Sequence, residues 1–341
     1  ALLGCIAGVS VAGELSDRLG RKKALFGSAI MFLISALGCM LSSTHTLLIS
    51  YRLVGGIGVG IASMLSPLYI SEVSPARIRG RMVALYQLAI TVGILFAYFV
   101  NAWLLKEHEG TEFQNPFFQY IISQELWRSM FGTEMIPAFI FFVSLFFVPE
   151  SPRWYVLKNK TDRAKNTLSR INGQSQAEKE LASIIQVKEK EGKANWRVLL
   201  RPGIRIAVVA GILLAILSQF TGINAIIYYG PRIMEQAGLK LSEALGGQVI
   251  IGFVNVAATF FAIWKIDQFG RKKLMKGGIT GMMISLIIIS ILFLLDLSGG
   301  LLILIFILIF IASFAIGYGP VIWVLLSEIY PAHVQIGRAH V

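Results

Sequence analysis

The chain has 341 residues, of which 55% are hydrophobic and only 15% charged, and its mean hydropathy is +0.70. That balance excludes a soluble domain of this size and predicts a polytopic α-helical membrane protein. A formal net charge of +12 would suit a nucleic-acid partner, but the basic residues cluster in particular loops, and that reading is dropped.

Nine apolar segments are read along the chain, at about 1–13, 24–43, 47–70, 82–105, 128–148, 206–230, 244–264, 274–295 and 301–326. Runs of roughly 18 or more apolar residues match the hydrocarbon thickness of a bilayer. The first is short, because only 13 residues precede Glu14, and no signal peptide stands before it. The sequence therefore reads as starting inside a helix, as a fragment. Loops 14–23, 71–81, 150–205 and 265–276 hold 25 of the 31 Lys and Arg residues, which predicts that they are cytoplasmic. The expected location is the plasma (inner) membrane, crossed several times. Cys5 and Cys39 both lie in apolar runs, so neither a disulfide framework nor a metal site is expected.

The long loop 150–205 reads as a helical connector. Thr161 is expected to cap one helix, and a second over Ala177–Glu189 carries Leu181, Ile184 and Ile185 at helical spacing. It reads either as a solvated linker or as a cytoplasmic latch touching two halves. Two halves are expected because the chain repeats itself. Asp17-Arg18-Leu19-Gly20-Arg21-Lys22-Lys23 recurs as Asp267-Gln268-Phe269-Gly270-Arg271-Lys272-Lys273, and Ser71-Glu72-Val73-Ser74-Pro75-Ala76 recurs as Ser327-Glu328-Ile329-Tyr330-Pro331-Ala332. Parallel repeats of this kind mark transporters that rock one half against the other around a midplane site. The domains expected are an N-terminal bundle over 1–149, the linker over 150–205 and a C-terminal bundle over 206–335.

The segment Gly211–Met234 is long enough to span a bilayer, yet carries Ser218, Gln219, Thr221, Asn224, Tyr228 and Tyr229. Uncharged amides and hydroxyls are costly in hydrocarbon unless they face protein or water. They also offer donors and acceptors together, as a neutral polyhydroxylated ligand requires. On an ideal helix Gln219 and Asn224 point about 140° apart. An unwound turn at Gly222 would let both face one cavity. The residues alone allow either a binding site or polar glue between packed helices.

These motifs together resemble a known family. Gly13-x-x-x-Asp17-Arg18-x-Gly20-Arg21-Lys22 is similar to the loop signature of the major facilitator superfamily. Arg52-x-x-x-Gly56-x-Gly58-x-Gly60, Pro67-x-Tyr69-x-Ser71-Glu72, Arg79-Gly80-Arg81 and Pro149-Glu150-Ser151-Pro152-Arg153 resemble its sugar porter family. So do Gln219-Phe220-x-Gly222-Ile223-Asn224, Asp267-x-x-Gly270-Arg271-Lys272 and Gly319-Pro320-x-x-Trp323. The resemblance implies an all-α major facilitator fold of two pseudo-repeated bundles. The nine segments would be helices 2 to 10, with helix 1 and helices 11 and 12 lacking. The last residues, 336–341, resemble a reading frame of a sequencing-adapter oligonucleotide and are expected to be non-native.

The family's sugar-binding residues fall on Gln87, Gln219, Asn224, Asn255 and Trp323, with Tyr228 and Tyr229 near an outer gate. Ser218 stands where the family usually has a first glutamine. Gln87, Thr91 and Ile94 share one helix face, and Ile94 resembles the isoleucine of glucose porters, which leans toward a hexose over a pentose. The resemblance further implies that Asp17, Arg21, Glu72, Arg79, Glu150, Arg153, Asp267, Arg271 and Glu328 form salt bridges at the cytoplasmic gate.

Two charges lie within apolar segments, Arg52 and Glu134. They are candidates for proton coupling, or form a wet pair at the outer vestibule. Gly56, Gly58 and Gly60 follow no strand, so they read as close helix packing and not as a phosphate loop. No catalytic constellation is found, and neither enzyme activity nor a cofactor is expected. The function expected is alternating-access transport of a monosaccharide by a monomer, by proton symport or passively. The alternative is a non-transporting sugar sensor.

Overall fold

The computed structural model describes residues 1–75, 78–110, 115, 119–191, 204–295, 299–319 and 321–322. Among the described residues every regular element is helical. The first group is α1 (Leu2–Leu19), α2 (Arg21–Leu41), α3 (His45–Val73) and α4 (Arg79–Gly110). A π-helical turn at Gln119–Gln124 leads into α5 (Leu126–Gly132) and α6 (Met135–Phe147). The connector holds α7 (Pro152–Leu157), α8 (Thr161–Asn172) and α9 (Gln174–Glu191). The second group is α10 (Ile204–Gln219), α11 (Ile223–Gln236), α12 (Leu241–Phe269), α13 (Arg271–Leu294) and α14 (Gly300–Gly317).

Among the described residues, eight stretches are long and apolar enough to cross a membrane. They match the second to ninth segments read from the sequence. The first segment becomes α1, whose C-terminal turns carry Glu14, Asp17 and Arg18 and shorten its apolar part. Large apolar side chains such as Phe139, Phe147, Phe253 and Leu301 are exposed, and a bilayer supplies the partner that water would refuse. Thr161 is the first helical residue of α8 and not its cap; Lys160 takes the cap position, and no side-chain bond closes it. The connector forms the two expected helices as α8 and α9, and the short α7 before them in addition. They are braced by Lys165 on Glu178 at 2.8 Å and by Lys188 on the Val156 carbonyl at 2.7 Å.

The chain divides into two compact units. The first is built from Ala1–Val83 and Thr111–Trp196. Its core holds Ala12, Leu25, Ala29, Ile61, Leu65, Tyr69 and Leu145. Small residues let its helices approach. A Cβ on Gly4 or Gly8 would overlap the Leu53 or Ile57 carbonyl of α3, and one on Gly60 would overlap the Cys5 carbonyl of α1. Gly58 faces α2 at Ser28, Met31 and Phe32. The glycines of this run therefore serve close helix packing, as read from the sequence.

The second unit comprises Ala84–Gly110 and Arg197–Pro331. Its core gathers Ile226, Met234, Ile251, Ile303, Ile307, Phe310 and Ile311. Ala84–Gly110 groups here, and α4 packs on α12 at Gly252, where a Cβ would stand 3.0 Å from Tyr98 and 3.1 Å from Leu95. The internal repeat is visible in the backbone. Gly20 between α1 and α2 has φ 102°, and Gly270 between α12 and α13 has φ 78°. Both occupy the same position of the duplicated loop motif, and both need the left-handed region that a side chain resists.

Candidate functional site

Two sites are assembled, one in each unit. In the second unit the helix ladder breaks where the polar residues crowd. Helix α10 ends at Gln219, α11 begins at Ile223, and Gly222 between them is left-handed at φ 86°, ψ 0°. The turn brings together side chains that an unbroken helix would separate. Asn224 Nδ2 donates to Gln219 Oε1 at 2.9 Å, and Gln219 Nε2 lies 3.4 Å from Ser218 Oγ. Ser218 and Thr221 return their hydroxyls to the backbone, on the Ala215 and Ser218 carbonyls at 2.6 and 2.8 Å. Gln219 and Asn224 therefore retain an exposed carboxamide donor and acceptor between them, suited to a ligand's hydroxyl groups. Tyr228 and Tyr229 follow on α11 and are exposed.

Asn255 is buried on α12, in line with Gln248, Gly252 and Thr259 at seven-, three- and four-residue spacings that keep one helix face. Gln87 lies on α4, half-buried, on the face shared by Thr91 and Ile94. Trp323 lies outside the described residues.

Two residues of this unit were not singled out from the sequence. Tyr98 stands eleven residues after Gln87 and seven after Thr91, hence on the same face, and its hydroxyl donates to the Ile227 carbonyl of α11 at 3.2 Å. Gln248, seven residues before Asn255, is 1% exposed, and neither amide atom has a hydrogen-bond partner among the described residues. Each such buried orphan costs about 1–3 kcal/mol. Helical spacing from the residues already named would have found both.

The first unit gathers a charged cluster at the α1–α2 junction. Arg21, fully buried, grips Glu72 in a two-pronged pair, Nε to Oε2 at 3.1 Å and Nη2 to Oε1 at 3.3 Å. Its Nη1 donates to Asp17 at 2.9 Å. The fork of the guanidinium suits this geometry, which an ammonium could not reproduce. Ser151 Oγ donates to Glu72 Oε2 at 2.5 Å, and Trp154 Nε1 donates to the Asp17 carbonyl at 3.1 Å. Glu150 receives the Lys22 backbone N–H at 3.1 and 3.2 Å and that of Ser151 at 2.9 Å. Its carboxylate thus caps the N-terminus of α2, where the helix dipole favours negative charge. A Cβ on Gly20 would overlap that carboxylate, so the turn needs glycine twice over. Tyr69 donates to the Pro149 carbonyl at 2.6 Å.

Of the charged residues named from the sequence, the structure brings together Asp17, Arg21, Glu72 and Glu150. Arg153 lies in α7 and Arg271 opens α13, each partly buried. The side chains of Arg79 and Asp267, and all of Glu328, fall outside the described part.

Arg52 and Glu134 do meet. Nη1 lies 3.5 Å from Oε1, and the guanidinium stands 5.1 Å from the Phe131 ring. Both line a cavity of about 430 Å³ with Phe32, Ser35, Gly56 and Phe141. Glu134 takes the N-cap position of α6, after the turn that separates α5 from α6. Among the described residues no group of His, Cys, Asp and Glu could hold a metal ion.

Comparison with known proteins places this geometry in context. The family model described as sugar (and other) transporter matches residues 1–336. The arabinose-proton symporter of Bacillus subtilis is 40% identical over 338 residues, covering 99% of this chain and 71% of the relative. The D-xylose-proton symporter of Escherichia coli is 36% identical over 357 residues, covering 99% and 70%. The glucose transporter GlcP of Staphylococcus epidermidis is 37% identical, covering 98% and 71%. Among solved structures, the partially occluded inward open form of the xylose transporter XylE from Escherichia coli superposes with a TM-score of 0.81 at 34% identity, covering 99% of this chain and 76% of that one.

Proposed function

The chain belongs to the sugar (and other) transporter family, is an integral multi-pass membrane protein of the major facilitator fold and is not an enzyme, and from that premise we propose that it carries a monosaccharide across the membrane by alternating access, coupled to protons. The observation that supports this most is the pair of carboxamides, Gln219 and Asn224, brought into contact by the break at Gly222. Gln87, Asn255 and Trp323 complete the sugar site, Ser218 tunes it, and Tyr228 and Tyr229 close its outer end. Amides serve a neutral ligand well, since each offers both halves of a hydrogen bond to a hydroxyl and carries no charge to desolvate.

The two-bundle organisation, 1–149 and 206–335 around the 150–205 connector, follows the repeat and supplies the halves that rock. The Asp17–Arg21–Glu72–Glu150 cluster, with Arg79, Arg153, Asp267, Arg271 and Glu328, acts as the cytoplasmic gate. A buried, two-pronged pair such as Arg21–Glu72 has few intermediate geometries, which suits a device with two states. Arg52 and Glu134 carry the coupling. A carboxylate held ionised by a guanidinium takes up a proton when that partner moves away, and both symporter relatives named above are proton symporters. Of the sugars, a hexose is favoured, on the resemblance of Ile94 to the isoleucine of glucose porters.

The test is uptake by the full-length protein in proteoliposomes, across a panel of hexoses and pentoses, with and without an inward proton gradient. Gradient-stimulated uptake of at least one sugar is expected, with hexoses preferred. Absence of uptake for every sugar, with binding retained, would point instead to a sensor.

A further inference from the structure

Helix α11 carries Pro231 in its interior. Proline has no N–H, so the carbonyl of Ile227, four residues earlier, loses the donor the helix would have given it. The Tyr98 hydroxyl of α4 fills that vacancy at 3.2 Å. One residue before the proline, Gly230 is buried and has no side chain, and the Gln248 carboxamide of α12 occupies the space a Cβ would take. Gln248 is thus packed on Gly230, three residues after Ile227 and one before Pro231, with both amide atoms unpartnered among the described residues. Gly252, on the same face of α12, packs on Leu95 and Tyr98 of α4. One helix kink therefore has two candidate donors beside it, one engaged and one idle.

An apolar side chain would fill the space over Gly230 at lower cost than an orphaned amide. A buried donor kept idle beside a carbonyl that no helix bond can satisfy makes sense if the carbonyl changes hands. We propose that the Gly230–Pro231 kink is a two-partner hinge: Tyr98 holds the Ile227 carbonyl in this conformation, and the Gln248 amide takes it when α4 draws away from α11. Gln248 is then a positioning residue for the turn of α11 that follows Tyr228 and Tyr229. The handover keeps the hydrogen-bond count level in both states, so neither becomes a trap. This rests on the transport reading for its purpose, since alternating access is what parts α4 from α11.

The experiment measures the α4–α11 distance directly. Spin labels at Phe99→Cys and Arg232→Cys, both exposed positions, are placed in full-length protein lacking its native cysteines. Pulsed dipolar spectroscopy is recorded in lipid nanodiscs without sugar. Tyr98→Phe removes the donor of the close state and is expected to shift the close-to-apart ratio about tenfold toward apart. Gln248→Met, of similar size and unable to donate, removes the donor of the apart state and is expected to shift it about tenfold toward close. Gln248→Leu serves if the Met variant fails to fold. Shifts of the two variants in the same direction, or a distance distribution that neither moves, would overturn the hinge. Because the distances are read without sugar, opposite shifts uphold the hinge even where uptake is absent, and that absence counts only against the transport reading.

Discussion

Replacing Gly222 by alanine tests the geometry of the sugar site more sharply than removing a ligand. The residue sits at φ 86°, ψ 0°, and a Cβ there would meet only Leu286 Cδ1, at 4.0 Å. Space is therefore not the obstacle. The cost is the left-handed backbone, about 1–2 kcal/mol for an ordinary L-residue. The chain has two responses. It holds the turn and bears that cost, or it rewinds into a continuous helix and swings Gln219 and Asn224 about 140° apart, losing their 2.9 Å bond. In either case the converged site is disfavoured by about 1–2 kcal/mol, which corresponds to about a 5- to 30-fold weaker apparent affinity. Asparagine tolerates the left-handed region, so Gly222→Asn is expected to lose much less. The assay is initial-rate sugar uptake in proteoliposomes as a function of concentration, paired with a detergent melt to show that each variant is folded. Gly222→Ala within twofold of the wild type, or Gly222→Asn falling below Gly222→Ala, would refute the reasoning.

Arg21→Ala leaves Glu72 buried with Ser151 as its remaining donor, and is expected to cost about 3–5 kcal/mol. The melting temperature should fall well below that of the wild type, and Arg21→Ala with Glu72→Ala together should cost less than the sum of the two. Gly60→Val forces α1 away from α3, since even a Cβ overlaps the Cys5 carbonyl. A loss of about 1–3 kcal/mol in the same melt is expected, and an unchanged melt would contradict the close crossing. Glu134→Gln keeps the shape of the Arg52 contact but cannot ionise, so proton-gradient-driven accumulation should vanish while sugar exchange between equilibrated compartments persists; intact accumulation would remove Glu134 from the coupling. Ile94→Gln should raise the pentose-to-hexose uptake ratio, and an unchanged ratio would separate this position from specificity.

Much of the fold could be read from periodicity and charge because a bilayer leaves so few alternatives. A run that must satisfy its own backbone hydrogen bonds in hydrocarbon is a helix, and among the described residues eight of the nine runs are long and apolar enough to span. The break at Gly222 was legible only as a condition, for an angular reason: two amides five residues apart share a face only if the helix unwinds between them. The repeat was equally legible, and Gly20 and Gly270 show it in their dihedrals.

What escaped is what depends on distance in space without a local signature. Glu150 is 128 residues from the Lys22 amide it caps, so nothing near Gly20 announces the partner. Ser151 and Trp154 join the Arg21 cluster for the same reason. Tyr98 and Gln248 were within reach of helical spacing, but a tyrosine and a glutamine in apolar helices are commonplace as packing glue, and only contact with the Pro231 kink sets them apart. Thr161 was expected as a cap because threonine favours that place, yet the helix starts one residue earlier and leaves its first turn to solvent.

The most direct test of the central claim is sugar uptake by Gln219→Ala and Asn224→Ala, each reconstituted in its full-length form beside the wild type and assayed with the sugar the wild type transports best. Each truncation removes one of two carboxamides that the Gly222 turn brings together. Losing charge-neutral hydrogen bonds to a ligand at about 1–1.5 kcal/mol apiece, with the partner amide left unsatisfied, predicts at least about a tenfold fall in uptake efficiency for each variant at unchanged melting temperature. Wild-type uptake by both variants would place the sugar elsewhere and contradict the account.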